Sequence, residues 1–466
     1  MRVCMILEGC YPYVFGGVSS WTHQYIQAMP NVEFVIWCIG AKAEDKGKFK
    51  FTMPDNVVEV REVFLDDALR MAKVSGGKIK LNVTKEQIEE LGKLFLGQSL
   101  NWEILFDMFQ NKRINPVDLL MSEDFLQELI KICKENFPYI SFVEYFHTIR
   151  SMLLPVLYLL IQDVPEADIY HSTATGYGGL LGSIGKWKNN KPFIVTEHGI
   201  YTREREEELL RAKWVLPHFR KQWINLFYLF SECAYNMADR VTALFRRAND
   251  TQVELGCPRE KLRVIQNGVH YDRFCNIPAK VEDGYIDIGA IVRIAKIKDI
   301  KTMIYAFAEV KIKVPNARLH IMGDVDDKEY FEECKQLIEQ LQTKDIIFTG
   351  VVKIIEYIEK IDFVILTSIS EGQPLSVLEA FAAGRACVTT DVGCCRDLLE
   401  GTDGLGEAGI CVPPMHKERL AKAMIAMCQN KEMRDEMAVV GRKRVAQFFT
   451  HEGSMEKYRE LYKEVL

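Results

Sequence analysis

Short apolar runs alternate with amphipathic stretches along most of the chain. In the first half, the runs that predict buried strands lie at residues 1–7, 32–39, 57–64, 167–171, 193–196 and 264–267. In the second half, such runs lie at residues 286–292, 318–322, 346–348 and 361–366. Helical repeats of three and four residues separate them. Because strands that alternate with helices are typical of parallel, doubly wound sheets, the pattern predicts an α/β protein.

This alternation is interrupted between about residue 66 and residue 162, where strand patterns stop and helical repeats take over. One repeat contains Phe125, Leu129 and Cys133. We interpret the stretch as a helical insertion of roughly 100 residues in the first domain. Its many aromatic residues are either the core of the insertion or a surface for a partner or a membrane.

The length of 466 residues exceeds what one hydrophobic core usually serves, so two domains are expected. A turn-like segment at residues 277–284 is the predicted linker. The first domain would then cover residues 1–276 and the second residues 285–450. A charged amphipathic helix at residues 451–466 is expected to return to the first domain.

The amino-acid composition favours a globular protein of a reducing compartment. With 48% hydrophobic residues, 27% charged residues and a net charge of −6, the chain is expected to be globular and not to bind nucleic acid. Its 13 cysteines include no C-x-x-C pair, which is typical of reduced, cytosolic proteins rather than of disulfide frameworks or zinc sites. The apolar stretch 152–161 is half a membrane span. We therefore expect a cytoplasmic protein.

The segment TSISEGQPLSVLEAFAAG, residues 367–384, has the pattern of a strand end, a loop and a helix start. Pro374 suits the first turn of a helix, so the helix is predicted to begin near Pro374 or Leu375. The free N–H groups of such a start, here near Leu375 and Ser376, bind phosphates at the carboxyl edge of α/β sheets. An anionic ligand is expected there.

Two glutamates bracket this helix start. Glu371 precedes it, and Glu379 lies roughly 7 to 8 Å further along the helix axis. A carboxylate repels a phosphate but accepts hydrogen bonds from sugar hydroxyls. A nucleotide sugar therefore fits, with Glu371 on the transferred sugar, the diphosphate in the middle and Glu379 on the ribose. The other interpretation is that both are ordinary glutamates at the edge of a helix.

Two cations are predicted at the same sheet edge. Arg293 and Lys298 follow the first strand of the second half, and together they can neutralise a diphosphate while it binds and while it departs. A solvated charged loop is the alternative.

Two motifs of the first half also lie at predicted strand ends. Gly16 and Gly17 can bring the backbone close to a ligand, unless they form a plain turn. Glu197 and His198 end another strand, and a structural histidine is the alternative reading. The segment TGYGGLLG lacks the third glycine of the dinucleotide fingerprint, because Leu181 stands there, and this disfavours a dehydrogenase.

In chain order, EGCYPYVFGGVSSW, the helical insertion, TEHGIYTRERE, IVRIAKIKDIKT and SEGQPLSVLEAFAAG resemble the PelF-type glycosyltransferases of Pel exopolysaccharide synthesis, within the family 4 retaining glycosyltransferases. The resemblance covers nearly the full chain. It implies a GT-B fold, in which two Rossmann-like doubly wound parallel-sheet domains face each other across a cleft. One departure is Asp299, which follows Lys298 where the family often has glycine.

The resemblance also assigns roles to residues. The catalytic set would be Glu371, Arg293, Lys298 and His198, with His198 facing the donor sugar. The donor-binding set would be Glu379, Gly372, Gln373, Pro374, Leu375, Ser376, Gly350, Val351, Gly16 and Gly17. Asp324 and Asp326 superficially suit a metal site, but they occupy the Gly-Asp turn of the family, so no catalytic metal is predicted.

We therefore expect an enzyme that moves a hexose or N-acetylhexosamine from a UDP-sugar, such as UDP-glucose or a UDP-N-acetylhexosamine, to a saccharide acceptor without a cofactor. Exopolysaccharide synthesis is the expected process, with peripheral association with a membrane polysaccharide-synthase complex at the inner face of the membrane. Two alternatives stay open. One is a non-hydrolysing UDP-sugar 2-epimerase, and the other is an inert scaffold of such a synthase.

Overall fold

The computed structural model describes residues 1–71, 81 and 83–466, and these residues form two compact units. The first unit comprises Met1–Val264 and Arg459–Leu466, and the second comprises Ile265–Tyr458. Each unit is built on one parallel sheet with α-helices in the connections between its strands. The prediction of two Rossmann-like, parallel-sheet α/β domains is therefore confirmed.

The sheet of the first unit has seven strands among the described residues: β1 Arg2–Glu8, β2 Glu33–Gly40, β3 Val57–Phe64, β4 Ile169–Ser172, β5 Phe193–Glu197, β6 Arg240–Ala243 and β7 Leu262–Val264. Their order is β3-β2-β1-β4-β5-β6-β7, and neighbouring strands run parallel. The order reverses between β1 and β4. In open α/β sheets, ligands bind beyond the carboxyl ends of the strands at such a reversal.

The helices of the first unit are α1 Gly17–Gln27, α2 Lys85–Leu96, α3 Trp102–Phe106, α4 Pro116–Leu120, α5 Glu123–Asn136, α6 Phe142–Leu160, α7 Tyr177–Asn189, α8 Tyr201–Arg211, α9 Arg220–Met237 and α10 Arg246–Glu254. Helices α2 to α6 lie in the predicted insertion, of which residues 72–80 and 82 fall outside the described part of the chain. Leu91, Phe106, Leu129 and Tyr145 of these helices belong to the hydrophobic core of the unit. Most aromatic side chains of the insertion are thus core.

The second unit has six strands in the part of the chain that is described: β8 Ile286–Ile291, β9 Ala317–Met322, β10 Ile346–Gly350, β11 Phe363–Leu366, β12 Ala386–Thr390 and β13 Gly409–Val412. They are ordered β10-β9-β8-β11-β12-β13, so the reversal lies between β8 and β11. The helices are α11 Tyr271–Phe274, α12 Ile300–Lys313, α13 Lys328–Leu341, α14 Ile354–Tyr357, α15 Leu375–Ala382, α16 Cys395–Leu399, α17 Lys417–Gln429, α18 Lys431–Phe448 and α19 His451–Val465.

The division between the units lies at residues 264 and 265, whereas the linker was expected at residues 277–284. The difference has a physical cause, because the intervening segment is bonded to the second unit. The Arg385 guanidinium donates to the carbonyl oxygen of Pro278 at 2.6 Å, and Lys280 Nζ lies 2.5 Å from Asp287 Oδ2.

The end of α19 belongs to the first unit from Arg459 onwards. There the Tyr462 hydroxyl lies 2.8 Å from Nδ1 of the buried His171. Within the described residues, no helix combines the length and the apolar content that a bilayer span needs.

Candidate active site

The segment predicted to bind the donor connects β11 to α15. Helix α15 begins at Leu375, with Pro374 as its N-cap, and no side chain caps its N-terminus. The predicted helix start is therefore confirmed. Because the first N–H groups of a helix have no partner within it, those of Leu375 and Ser376 are available to a ligand. The Leu375 side chain is 39% exposed, which places the helix start at the surface of the unit.

Lys298 forms an ion pair with Glu371, which lies in the loop that precedes this helix. The Lys298 ammonium nitrogen Nζ lies 2.5 Å from Glu371 Oε1, and both side chains are mostly buried. The Ser368 hydroxyl donates to the same carboxylate oxygen at 2.6 Å. The structure thus brings together two of the predicted catalytic residues, which lie 73 positions apart in the chain.

The loop that carries Glu371 is held by its neighbours in the sheet. The Thr390 hydroxyl donates to the carbonyl oxygen of Ser368 at 2.7 Å, and the Cys394 N–H donates to that of Gly372 at 3.1 Å. Gly393 has a φ of 55°, and a Cβ atom on it would lie 2.2 Å from the Gly372 carbonyl oxygen. A glycine at this position therefore lets the two backbone segments approach closely.

Glu379 lies on the first turns of α15 and is half-buried. Burial raises the pKa of its carboxyl group to about 7, since removal from water disfavours the charged form. In the described part of the chain, the Glu379 carboxylate has no hydrogen-bond donor and no ion-pair partner, and only the backbone carbonyl of this residue accepts a hydrogen bond, from the Ala383 N–H at 2.9 Å. A half-buried carboxyl group without a partner is costly for the fold, and a ligand hydroxyl would relieve that cost.

Arg293 follows β8 and is exposed, and its guanidinium forms an ion pair with Asp326. It contacts Asp326 rather than Glu371. Asp324 accepts a hydrogen bond from the backbone N–H of Val325 at 2.8 Å, as in a tight turn after β9. Among the described residues, no group of three or more acidic, histidine or cysteine side chains is arranged to hold a metal ion.

Asp299 stands where the family that the sequence resembles often has glycine, and its backbone conformation explains why aspartate fits there. Asp299 has a φ of 47°, which is the left-handed region that glycine adopts readily. Its side chain caps α12 by accepting from the Thr302 N–H at 3.4 Å. Aspartate also tolerates this backbone region better than most residues, so the substitution keeps the loop conformation.

Gly350 and Val351, which belong to the predicted donor-binding set, lie at the carboxyl end of β10. Gly350 has a φ of 67° and its carbonyl oxygen accepts from the Gly323 N–H at 3.0 Å, while the Val351 side chain is exposed. Gln373 was also predicted to bind the donor, but its side-chain polar atoms already have partners in the protein. Its amide accepts from the Asn267 N–H at 2.7 Å and donates to the Asn267 carbonyl oxygen at 3.1 Å, so both of its polar atoms bind backbone.

In the first unit, Gly16 is the N-cap of α1 and Gly17 is its first residue. Both are exposed, and a Cβ atom on either would meet nothing within 4 Å. Gly16 has a fully extended backbone, with φ 177°. Neither packing nor φ at Gly16 demands glycine, so the open space is available to a ligand at the uncapped start of α1.

His198 follows β5, and its ring lies edge-on to Trp21 with the centroids 4.5 Å apart. Burial lowers the pKa of His198 to about 4, so the imidazole is neutral at physiological pH. Its Nε2 atom is shielded from solvent and has no hydrogen-bond partner in the part of the chain that the structure describes. A structural histidine normally has such a partner, so the unpaired nitrogen favours a ligand-binding role.

Sequence reasoning missed the buried cluster around Glu8 at the carboxyl end of β1. Glu8 accepts from the Tyr201 hydroxyl at 2.6 Å and from the Gly178 N–H at 3.1 Å, and the Arg205 guanidinium lies 3.9 Å away. Burial raises the pKa of Glu8. The sequence signal that could have pointed to this cluster is an acidic residue, Glu8, at the end of the first predicted strand.

Comparison with known proteins identifies both units. Residues 1–260 match the family model described as "Domain of unknown function (DUF3492)", and residues 286–430 match the model of "Glycosyl transferases group 1". The chain is 21% identical over 289 residues to the MMP alpha-(1->4)-mannosyltransferase of Mycolicibacterium hassiacum, an alignment that covers 61% of this chain and 67% of that protein. It is 32% identical over 237 residues to the alpha-monoglucosyldiacylglycerol synthase of Streptococcus pneumoniae, covering 47% and 51%.

Among solved structures, Anabaena Alr3699/HepE in complex with UDP aligns over 100% of both chains, with a TM-score of 0.63 and 14% identity. Sucrose-phosphate synthase from Thermosynechococcus elongatus aligns over 100% of this chain and 99% of its own, with a TM-score of 0.59 and 14% identity. At these identities the likeness shows the fold. The chain belongs to the family of the DUF3492 domain, its residues 286–430 form a domain of the glycosyl transferases group 1 type, and its two parallel-sheet domains have the fold of GT-B glycosyltransferases.

Proposed function

We propose that this glycosyltransferase moves a hexose or N-acetylhexosamine from a UDP-sugar to a saccharide acceptor, with retention at the anomeric carbon, as a PelF-type enzyme of exopolysaccharide synthesis. The observation that carries the proposal is the uncapped start of α15, which lies between Glu371 and Glu379 with Lys298 beside it. Structural neighbours support the choice of nucleotide, since the Anabaena protein was solved with UDP and with UDP-glucose.

Lys298 and Glu371 form an ion pair that a donor can exchange for other partners. The two side chains neutralise each other at 2.5 Å. A donor offers both of them better partners, because its diphosphate attracts the ammonium group and its sugar hydroxyls donate to the carboxylate. Neither charge is then left buried without a partner, and the exchange selects a ligand that carries both groups.

The same residues serve the transfer step. The acceptor oxygen forms a bond to the anomeric carbon while the bond from that carbon to the diphosphate oxygen breaks. The acceptor proton passes to the departing diphosphate oxygen on the same face, so no enzyme nucleophile is needed. Lys298, Arg293 and the N–H groups at the start of α15 stabilise the negative charge that grows on the diphosphate.

Glu379 is assigned to the ribose. Its carboxyl group lacks a partner among the described residues, and two vicinal hydroxyls provide the donors that it needs. The ionised form is the better acceptor, so donor affinity should rise as the pH rises through about 7.

Thermal-shift titration with UDP, ADP, GDP and their sugars tests the donor, because a ligand that binds only the folded state raises the melting temperature. We expect UDP and one UDP-sugar to give the largest shifts. Glu379→Gln should abolish the UDP shift, whereas Glu432→Gln, at an exposed glutamate in the first turn of α18, should preserve it. Equal shifts for all three nucleotides would contradict the uridine assignment.

Product analysis separates the proposal from its alternatives. A retaining transferase gives an α-linked product from an α-linked donor, and it needs an acceptor. A 2-epimerase converts one UDP-sugar into another without an acceptor, and an inert scaffold gives neither product. Proton NMR of the anomeric signal therefore decides among the three.

A further inference from the structure

The connection between α8 and α9 exposes large apolar side chains. Trp214 is 66% exposed and Leu216 is 42% exposed, and Leu210 near the end of α8 is also exposed. The His218 ring nitrogen Nε2 lies 3.0 Å from Glu144 Oε1, which brings the start of α6, with the exposed Val143, to the same region. We call Leu210, Trp214, Leu216 and Val143 the docking surface.

These side chains point outward because their neighbours anchor the chain inside. Val215 and Phe219 are buried, and the Phe219 ring packs against Phe137 and Tyr145 with centroid distances of 5.8 and 6.1 Å. The Trp214 ring meets Trp223 edge-on, with the ring centroids 5.4 Å apart. The connection is thus a packed segment that presents Trp214 to solvent, and its exposure needs a reason.

The connection that carries Trp214 and Leu216 is positively charged, although the whole chain carries a net charge of −6 and glutamates of α8 and α6 flank Leu210 and Val143. Residues 211–221 contain Arg211, Lys213, Arg220 and Lys221 and no acidic residue. Arg211 lies 3.7 Å from Glu207. Lys213, Arg220 and Lys221 have no carboxylate partner within the described residues, so their charge is available to an anionic partner.

We propose that the docking surface binds the anionic surface of a lipid bilayer. A tryptophan with aliphatic neighbours inserts at the level of the lipid headgroups, and nearby lysines attract acidic lipids. A protein partner is disfavoured because the centres of protein interfaces are depleted of lysine, whereas Lys213 lies next to Trp214. Sequence reasoning predicted association with a membrane complex, and this surface supplies a direct route to the membrane that does not depend on the donor.

Vesicle sedimentation with the full-length protein tests the proposal. We expect binding to vesicles of equimolar phosphatidylcholine and phosphatidylglycerol, weak binding to phosphatidylcholine alone, and release by salt. Lys213→Gln with Lys221→Gln should weaken partitioning about 25-fold, at about fivefold for each basic residue. Trp214→Ser with Leu216→Ser should weaken it roughly tenfold or more, since two apolar side chains no longer leave water.

A matched control is Ile312→Ser with Lys313→Gln, an exposed apolar and basic pair at the end of α12 in the second unit. It should bind vesicles as the unchanged protein does. Melting temperatures with and without UDP report whether each variant is folded and binds nucleotide, independently of lipid.

The proposal is overturned if the folded protein does not bind anionic vesicles at low salt, and a protein partner would then be the better occupant. It is equally overturned if both docking-surface variants bind like the control variant.

Discussion

Glu197 in the first unit is buried and Glu379 in the second is half-buried, yet the hydrogen-bonding surroundings of the two carboxyl groups are opposite. Glu197, at the carboxyl end of β5, accepts hydrogen bonds from the Tyr235 hydroxyl at 2.7 Å, the Gln252 amide at 2.8 Å and the Tyr201 N–H at 3.2 Å. Glu379, near the start of α15, has no donor among the described residues. Burial raises the pKa of both carboxyl groups.

The difference teaches that hydrogen-bond partners, rather than burial, separate a structural carboxylate from the one that we propose binds a ligand. A carboxylate with several donors stabilises the elements that supply them. One without donors costs stability unless something binds to it. The two units therefore predict opposite responses to substitution, with stability changing in the first and ligand binding in the second.

The largest expected effect is on catalysis in the second unit. Lys298→Ala should lower kcat/KM by about 10²–10³-fold, because the charge that grows on the departing diphosphate loses its nearest cation. The melting temperature should also fall, because the mostly buried Glu371 carboxylate loses its ion-pair partner, so kcat/KM is measured well below the melting transition of the variant. Lys344→Ala, at an exposed lysine of the same unit, is the control. A fall of only a few fold would remove the proposed role of Lys298.

A large effect on stability is expected in the first unit. Glu197→Gln should lower the free energy of unfolding by about 1–3 kcal/mol, because an amide has one acceptor oxygen where the carboxylate has two and turns an NH₂ group toward donors. Urea denaturation measures the change, and Glu86→Gln, at an exposed glutamate in the first turn of α2, is the control. The UDP-induced thermal shift should stay the same. Unchanged stability would refute the structural role of Glu197.

Replacement of Glu379 should change the free energy of unfolding less than replacement of Glu197 does, and in the opposite direction at high pH. Its folded-state pKa of about 7 exceeds the ordinary value of 4.5, so between these values the folded state holds more protons than the unfolded state. Stability due to this group is complete below pH 4.5 and is lost as the pH rises through about 7. Glu379→Gln removes the penalty and should be about 1–2 kcal/mol more stable than the original chain at pH 8.

Urea denaturation at pH 5 and at pH 8 checks this prediction. The variant and the original chain should differ little at pH 5, and the gap should open at pH 8. The same variant should lose its UDP shift, so that it gains stability while it loses function. A gap of equal size at both pH values would show that ionisation of Glu379 is not its cause.

The smallest effect on stability is expected at Gly17. Gly17→Ala adds a methyl group to open space at the first residue of α1, so the free energy of unfolding should stay within about 0.5 kcal/mol or rise slightly. The KM for the donor should rise, because the methyl group obstructs the approach of a ligand to the start of the helix. Gly393→Ala is the contrast, since its Cβ would collide with the Gly372 carbonyl oxygen and destabilise the fold. An unchanged KM would leave Gly17 as a plain turn residue.

Much of the fold was predictable because its determinants are local. Apolar runs and helical repeats placed most strands of both sheets and the start of α15 at Leu375, and the glutamates on either side of that start follow from counting residues along the chain. The limits of the units were less predictable. Pro278 and Lys280 have loop-like sequence, but their bonds to Arg385 and Asp287 attach them to the second unit.

By itself, the sequence determined the α/β class, the repeated alternation in two halves and the positions of the candidate site residues, because these depend on hydrophobic periodicity and short motifs. Only the tertiary structure decided which polar groups have partners. Gln373 is bonded to the backbone of Asn267, 106 residues away, and Lys298 meets Glu371 across 73 residues, whereas the Glu379 carboxylate and His198 Nε2 have no partner among the described residues. Such pairings form between segments distant in the chain, where no local pattern records which atoms come within 3 Å of each other.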